Sequence, residues 1–99
     1  QLLEDQALLE LDRELVNAYK SYSNSRTVLD LEKNNLESAR VNFYRTRDLY
    51  DLGQVTSTQF REAQLNLTRA ETNVISATYQ AKLDEIELMR ITGELVKNI

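Results

Sequence analysis

The chain has 99 residues with no cysteine, histidine or proline, only two glycines, and a net charge of −4. Those absences exclude a disulfide framework, thiol or imidazole catalysis and soft-metal ligation. A pI near 4.8, with Lys and Arg scattered among Asp and Glu, speaks against nucleic acid as a partner, since phosphates need a basic face. No apolar run approaches the roughly 20 residues of a membrane-spanning helix, and a chain so poor in loop-forming residues is expected to make long uninterrupted helices.

Residues 2–52 carry a three-four apolar alternation: Leu8, Leu11, Leu15, Ala18, Tyr22, Ser25, Leu29, Glu32, Leu36, Ala39, Phe43, Thr46 and Tyr50. Seven residues per two helical turns is the coiled-coil period, interrupted here only at Ser25, Glu32 and Thr46. The pattern predicts a first helix over about 2–52.

It stops at Gly53. Lacking a Cβ, glycine takes the left-handed conformation that ends a helix at its C′ position. Thr56 then offers an N-cap hydroxyl, and Gln59 completes a Thr-x-x-Gln capping box. Val55 and Phe60 occupy the two positions of a hydrophobic staple. The spacing predicts a turn over 53–55 and a second helix over about 56–93. Gly93 reads as that helix's C-cap, after which Glu94 to Ile99 are expected to leave its axis.

The second helix repeats the stripe with Phe60, Ala63, Leu67, Ala70, Val74, Ala77, Ala81, Asp84, Leu88, Ile91 and Leu95. Folding back at the turn sets Tyr50 against Phe60, Phe43 against Leu67, Leu36 against Val74, Leu29 against Ala81, Tyr22 against Leu88 and Leu15 against Leu95. In this register Ser25 meets Asp84, so two polar interruptions coincide although the turn does not force them to. The fold class is all-α: a long antiparallel two-helix coiled-coil hairpin.

A seam between two helices leaves most of each helix facing water. Leu9, Val16, Tyr19 and Tyr44 on the first helix lie outside it, as do Leu65, Ile75, Tyr79, Ile86 and Met89 on the second. The column Leu65, Thr72, Tyr79, Ile86 recurs every heptad beside the main stripe. Such a flank implies packing on further helices, so the hairpin is expected to belong to a larger helical barrel and, isolated, to form a dimer or larger species. Because the chain starts at Gln1 rather than Met, it is expected to be a fragment of a longer chain.

No catalytic constellation emerges. Carboxylate neighbours such as Asp84 with Glu87, and Glu4 with Asp5, read as solvated helix faces, and mixed-charge neighbours read as surface pairs worth a few tenths of a kcal/mol. The five tyrosines read as packing residues rather than a base-stacking platform. The expectation is that the protein is not an enzyme and uses no cofactor or metal. The exposed turn at the end of the hairpin is the natural place for end-on contact.

Leu49 to Leu67, with Tyr50-Asp51-Leu52-Gly53, the Thr56 cap and the Ala63-Gln64 pair, resembles the second hairpin of TolC-type outer membrane efflux proteins. Ala70, Ala77, Tyr79 and the closing Leu88-Met89-Arg90-Ile91-Thr92-Gly93-Glu94-Leu95 extend the resemblance, which covers roughly Leu29 to Leu95. It implies a homotrimeric channel of a Gram-negative outer membrane, whose periplasmic helices form a barrel joined to a β-barrel outside this fragment. It places Leu52, Gly53, Gln54, Val55 and Thr56 at a tip that meets the periplasmic adaptor of a tripartite pump, itself linked to an inner-membrane transporter. Acidic residues three and six positions past the cap line the closed pore entrance in that family. Here those positions are Gln59, which departs from the pattern, and Glu62. Arg45-Thr46-Arg47-Asp48-Leu49 with Gly53 to Thr56 partly fits the hairpin of the adaptor proteins instead, and a structural coiled coil with no transport role is the third reading.

Overall fold

The computed structural model describes residues 2–97, with the side chains of Leu2 and Leu95 outside that description. The chain is two helices, α1 (Leu2–Asp51) and α2 (Ser57–Lys97), joined by one turn. Among the described residues there is no strand. The fold is a helical hairpin, as the paired stripes predict.

The chain divides into two compact units, one formed by Val28–Thr78 and the other by Gln1–Thr27 with Tyr79–Ile99. In each, a segment of α1 packs antiparallel against a segment of α2.

The unit containing the turn is held by Leu29, Ala63, Ala70 and Ala77, all buried, with Leu36, Ala39, Phe43, Thr46, Leu49, Phe60, Leu67 and Val74 half-buried around them. Leu49 apart, these are the seam positions read from the heptads, and the register is visible in the aromatic rings. Tyr50 stacks on Phe60 at 4.8 Å between centroids, and Phe43 lies 5.7 Å from the same ring. Tyr50 is nonetheless 41% exposed, and Leu49 takes the half-buried position beside it.

Glu32, one of the polar members of the α1 stripe, falls opposite Ala77 by the same register. Its Oε2 is buried without a hydrogen-bond partner. A methyl group offers the carboxylate no donor, and an unmade bond of this kind opposes folding.

In the other unit Ala18, Ala81 and Ile91 are buried, and Leu11, Leu15, Tyr22 and Leu88 are half-buried. The coincidence of polar interruptions is resolved chemically. The Ser25 hydroxyl donates to Oδ2 of Asp84 across the seam, and Nε2 of Gln80 donates to Oδ1 from one turn away at 3.2 Å. Both carboxylate oxygens are therefore satisfied, which is what lets an aspartate sit in a coiled-coil layer. Leu8 is exposed, because the register sets no described residue of α2 opposite it. The expected Leu15–Leu95 layer includes a side chain outside the described residues.

The end of α2 corrects the sequence reading. The helix runs through Gly93 to Lys97, and among the described residues only Gly53 has a positive φ. Arg90 bridges the position: its guanidinium donates to Glu94 at 2.6 Å while also gripping Glu87 at 2.5 Å. These i,i+3 and i,i+4 pairs hold the turns on either side of Gly93 in helical register, and no proline follows to stop the helix. Residues 94–97 therefore continue the axis, and Asn98 and Ile99 lie outside the described residues.

Among the described residues, five of the seven buried apolar ones are alanines. At about 0.8 kcal/mol per buried methylene, alanine layers allow close approach of the helices but contribute little burial. Meanwhile Leu65, Ile75, Tyr79, Ile86 and Met89 remain largely exposed on α2, and Leu9, Val16, Tyr19 and Tyr44 on α1. The hydroxyls of Thr68 and Thr72 donate to the carbonyls of Gln64 and Thr68 at 3.1 and 3.0 Å. With its hydroxyl satisfied inside its own helix, Thr72 joins the apolar column of Leu65, Tyr79 and Ile86 without bringing an unmet donor.

Candidate functional site

The turn is built from two interlocking caps. At the end of α1, Gly53 N–H donates to the Tyr50 carbonyl at 2.9 Å and Gln54 N–H donates to the Leu49 carbonyl at 2.8 Å. This nested pair is the Schellman motif, with Gly53 at the C′ position. It requires the left-handed backbone that Gly53 adopts, at φ +76°.

At the start of α2 the bonding is reciprocal. Gln59 N–H donates to the Thr56 hydroxyl at 3.1 Å, and Thr56 N–H donates to Oε1 of Gln59 at 2.9 Å. The Thr56 carbonyl accepts the first helical bond, from Phe60 N–H at 3.1 Å. Val55 and Phe60 are both half-buried while the intervening Ser57 and Thr58 are exposed, the arrangement of a hydrophobic staple. The sequence signals at Gly53, Thr56 and Gln59 thus correspond to actual bonds. The Leu49 carbonyl's part in the turn carries no sequence signal, since a backbone acceptor looks the same in every residue.

Leu52, Gly53, Gln54, Val55 and Thr56 are gathered into this one connection. Leu52 is 70% exposed, and Gly53, Gln54 and Thr56 are exposed beside it. A Cβ built on Gly53 would meet nothing within 4 Å, so the space outside the turn is open to an approaching surface. Gln59 sits in the first turn of α2, and Glu62 one turn further on, exposed. Nearby charges are mixed: Arg47 lies 3.8 Å from Asp48 and stacks 5.0 Å over the Tyr44 ring. The end of the hairpin offers backbone groups, one exposed leucine and a rigid outline rather than a field of one sign.

Elsewhere the chemistry is that of a helix surface. Among the described residues no group of three or more His, Cys, Asp or Glu side chains could hold a metal ion. Nor, among the described residues, is any helix long and apolar enough to cross a membrane. The strongest electrostatic feature is the Glu87–Arg90–Glu94 cluster. The Arg90 hydrogen bond holds the Glu87 carboxyl below its ordinary value, and Glu87 in turn raises Arg90, with smaller help from Glu94 and Glu14. That cluster staples α2, with Glu14 of α1 adding its charge.

The chain is thus a two-helix hairpin with a capped, exposed end and apolar flanks that its own partner helix leaves uncovered. A model described as outer membrane efflux protein matches residues 1–94. The chain belongs to the outer membrane efflux protein family, a family of transport channels. No curated protein and no solved structure matches it.

Proposed function

We propose that this chain is the periplasmic helical hairpin of a trimeric outer-membrane efflux channel, and that its tip docks on the periplasmic adaptor of a tripartite export pump. The role is structural and conductive rather than enzymatic. The carrying observation is the match of the family over residues 1–94, taken with a tip that is exposed at Leu52 to Gln54 yet fixed by caps on both sides. The uncovered flanks of both helices are the surfaces on which neighbouring helices complete the barrel, within a subunit and between the three subunits. An inner-membrane transporter then joins the assembly through the adaptor. Glu62, exposed one turn behind the cap, is the residue of this hairpin that supplies a carboxylate to the pore entrance.

End-on contacts are small, so close approach of backbone at the tip matters more than buried area. The test places Gly53→Trp or Gln54→Trp in the full-length channel, with assembly of the trimer in the outer membrane as the control and efflux-dependent tolerance of the host as the readout. Loss of tolerance with normal assembly supports docking, and full tolerance in both variants removes the tip from the mechanism.

A further inference from the structure

Gln59 occupies a position where the family resemblance places a pore-lining acid, yet its side chain is already engaged. Its Oε1 accepts from Thr56 N–H at 2.9 Å, while its own N–H donates to the Thr56 hydroxyl at 3.1 Å. Thr56 is the last residue of the exposed connection, immediately before α2 begins at Ser57. The segment between the Schellman bonds of Gly53 and Gln54 and this reciprocal pair is only Val55 long. Immobilising Thr56 therefore immobilises the whole tip. If the Thr56 N–H is released, residues 54–56 gain the backbone freedom that the caps now remove.

We infer that Gln59 is a positioning residue for docking: through Thr56 it holds the Leu52 to Thr56 turn in the one conformation that an adaptor meets. This rests on the docking role proposed above. A rigid tip forgoes the ordering that a loose one must undergo on binding. A capping interaction typically shifts its local equilibrium about five-fold, and affinity falls by the fraction of tip that remains competent.

The side chain matters as an acceptor and not as a neutral amide, so Gln59→Glu retains the role and Gln59→Ala loses it. In the full-length trimer, hydrogen exchange across residues 54–59 is expected to quicken in Gln59→Ala and to stay at the parent rate in Gln59→Glu. The dissociation constant for the cognate periplasmic adaptor is expected to rise in the alanine variant, by at most about five-fold, and to return to the parent value in the glutamate variant, with trimer assembly unchanged in both. Thr56→Ala removes a different bond, the one its hydroxyl accepts from the Gln59 backbone N–H, and should quicken exchange further in the double variant.

Parent-like exchange at the tip in Gln59→Ala overturns the inference while leaving docking intact. So does an unchanged dissociation constant despite faster exchange, or a Gln59→Glu variant as impaired as the alanine. Failure of docking itself is read separately, from a Gly53→Trp channel that binds the adaptor as tightly as the parent.

Discussion

Replacing Gly53 isolates one backbone dihedral. Because a Cβ there meets no atom within 4 Å, a side chain adds no clash inside the hairpin, and what remains is the strain of holding an L-residue at φ +76°. That strain is about 1–2 kcal/mol for an ordinary residue. The chain can escape it only by leaving the left-handed region, which gives up the Gly53–Tyr50 and Gln54–Leu49 bonds, each worth about 0.5–1.5 kcal/mol net. The two routes are similar in size, so Gly53→Val is expected to destabilise the hairpin by about 1–2 kcal/mol. Gly53→Ala and Gly53→Trp should fall in the same range, because the term belongs to the backbone and not to side-chain volume. Gly53→Asn should lose less, since asparagine visits the left-handed region more readily. Urea unfolding followed by circular dichroism measures this directly, the midpoint moving with the slope unchanged. A valine variant with the parent's midpoint, or a valine and an asparagine variant that unfold together, refutes the assignment of Gly53 as the C′ residue.

The uncovered residues of both helices, among them Leu65, Ile75, Tyr79 and Ile86, should drive the separate hairpin into a dimer or larger species at micromolar concentration; sedimentation that finds a helical monomer rejects this. Glu32→Leu should stabilise the hairpin by about 1 kcal/mol by removing the orphaned Oε2, and a lowered unfolding midpoint would mean that this oxygen is satisfied in solution. Glu87 should titrate below its ordinary 4.5 because of Arg90, and Arg90→Ala should return it to that value in an NMR titration. The sign follows from the lowered folded value: the Glu87–Arg90 contribution to stability is complete above about pH 4.5 and is lost as pH falls through the folded midpoint. Glu62→Ala in the full-length channel should leave adaptor binding intact and make the closed pore leakier, which conductance across a bilayer would detect.

The seam was legible because its layers from Leu15 to the turn are written twice. A three-four stripe on one helix gives a face, but only the second stripe, folded back through a turn with its own signals, gives a register. Ser25 and Asp84 meet because that register is right, and the hydroxyl-to-carboxylate bond between them is what a polar residue in such a layer needs. Glu32 was visible as an interruption, but its lack of a partner was not, since that depends on what the opposing Ala77 fails to provide. Near the turn the heptad loses its authority. Leu49 moves into the seam while Tyr50 stays 41% exposed, because the last residues of α1 answer to the Schellman bonds as much as to the coiled-coil period. The tip was legible as caps, whereas the proposed docking depends on a second surface that no residue of this chain encodes.

The two glycines of the chain show why a single residue type is a poor stop signal. Gly53 ends a helix and Gly93 does not, although each follows a long periodic segment. Glycine in a helix interior is less favourable than alanine by about 1 kcal/mol, too little to end a helix whose neighbours gain by continuing. At Gly93 they do gain: Arg90 reaches Glu94 across the glycine, and Ile91 is buried just before it. At Gly53 the balance is reversed, since Gln54 N–H finds its acceptor in Leu49 only if the helix stops, and Thr56 with Gln59 supplies a new beginning immediately afterwards. A helix ends where the chain beyond it has better partners for the freed groups. In this hairpin that condition is met at one glycine, and the end it creates is the surface proposed to dock.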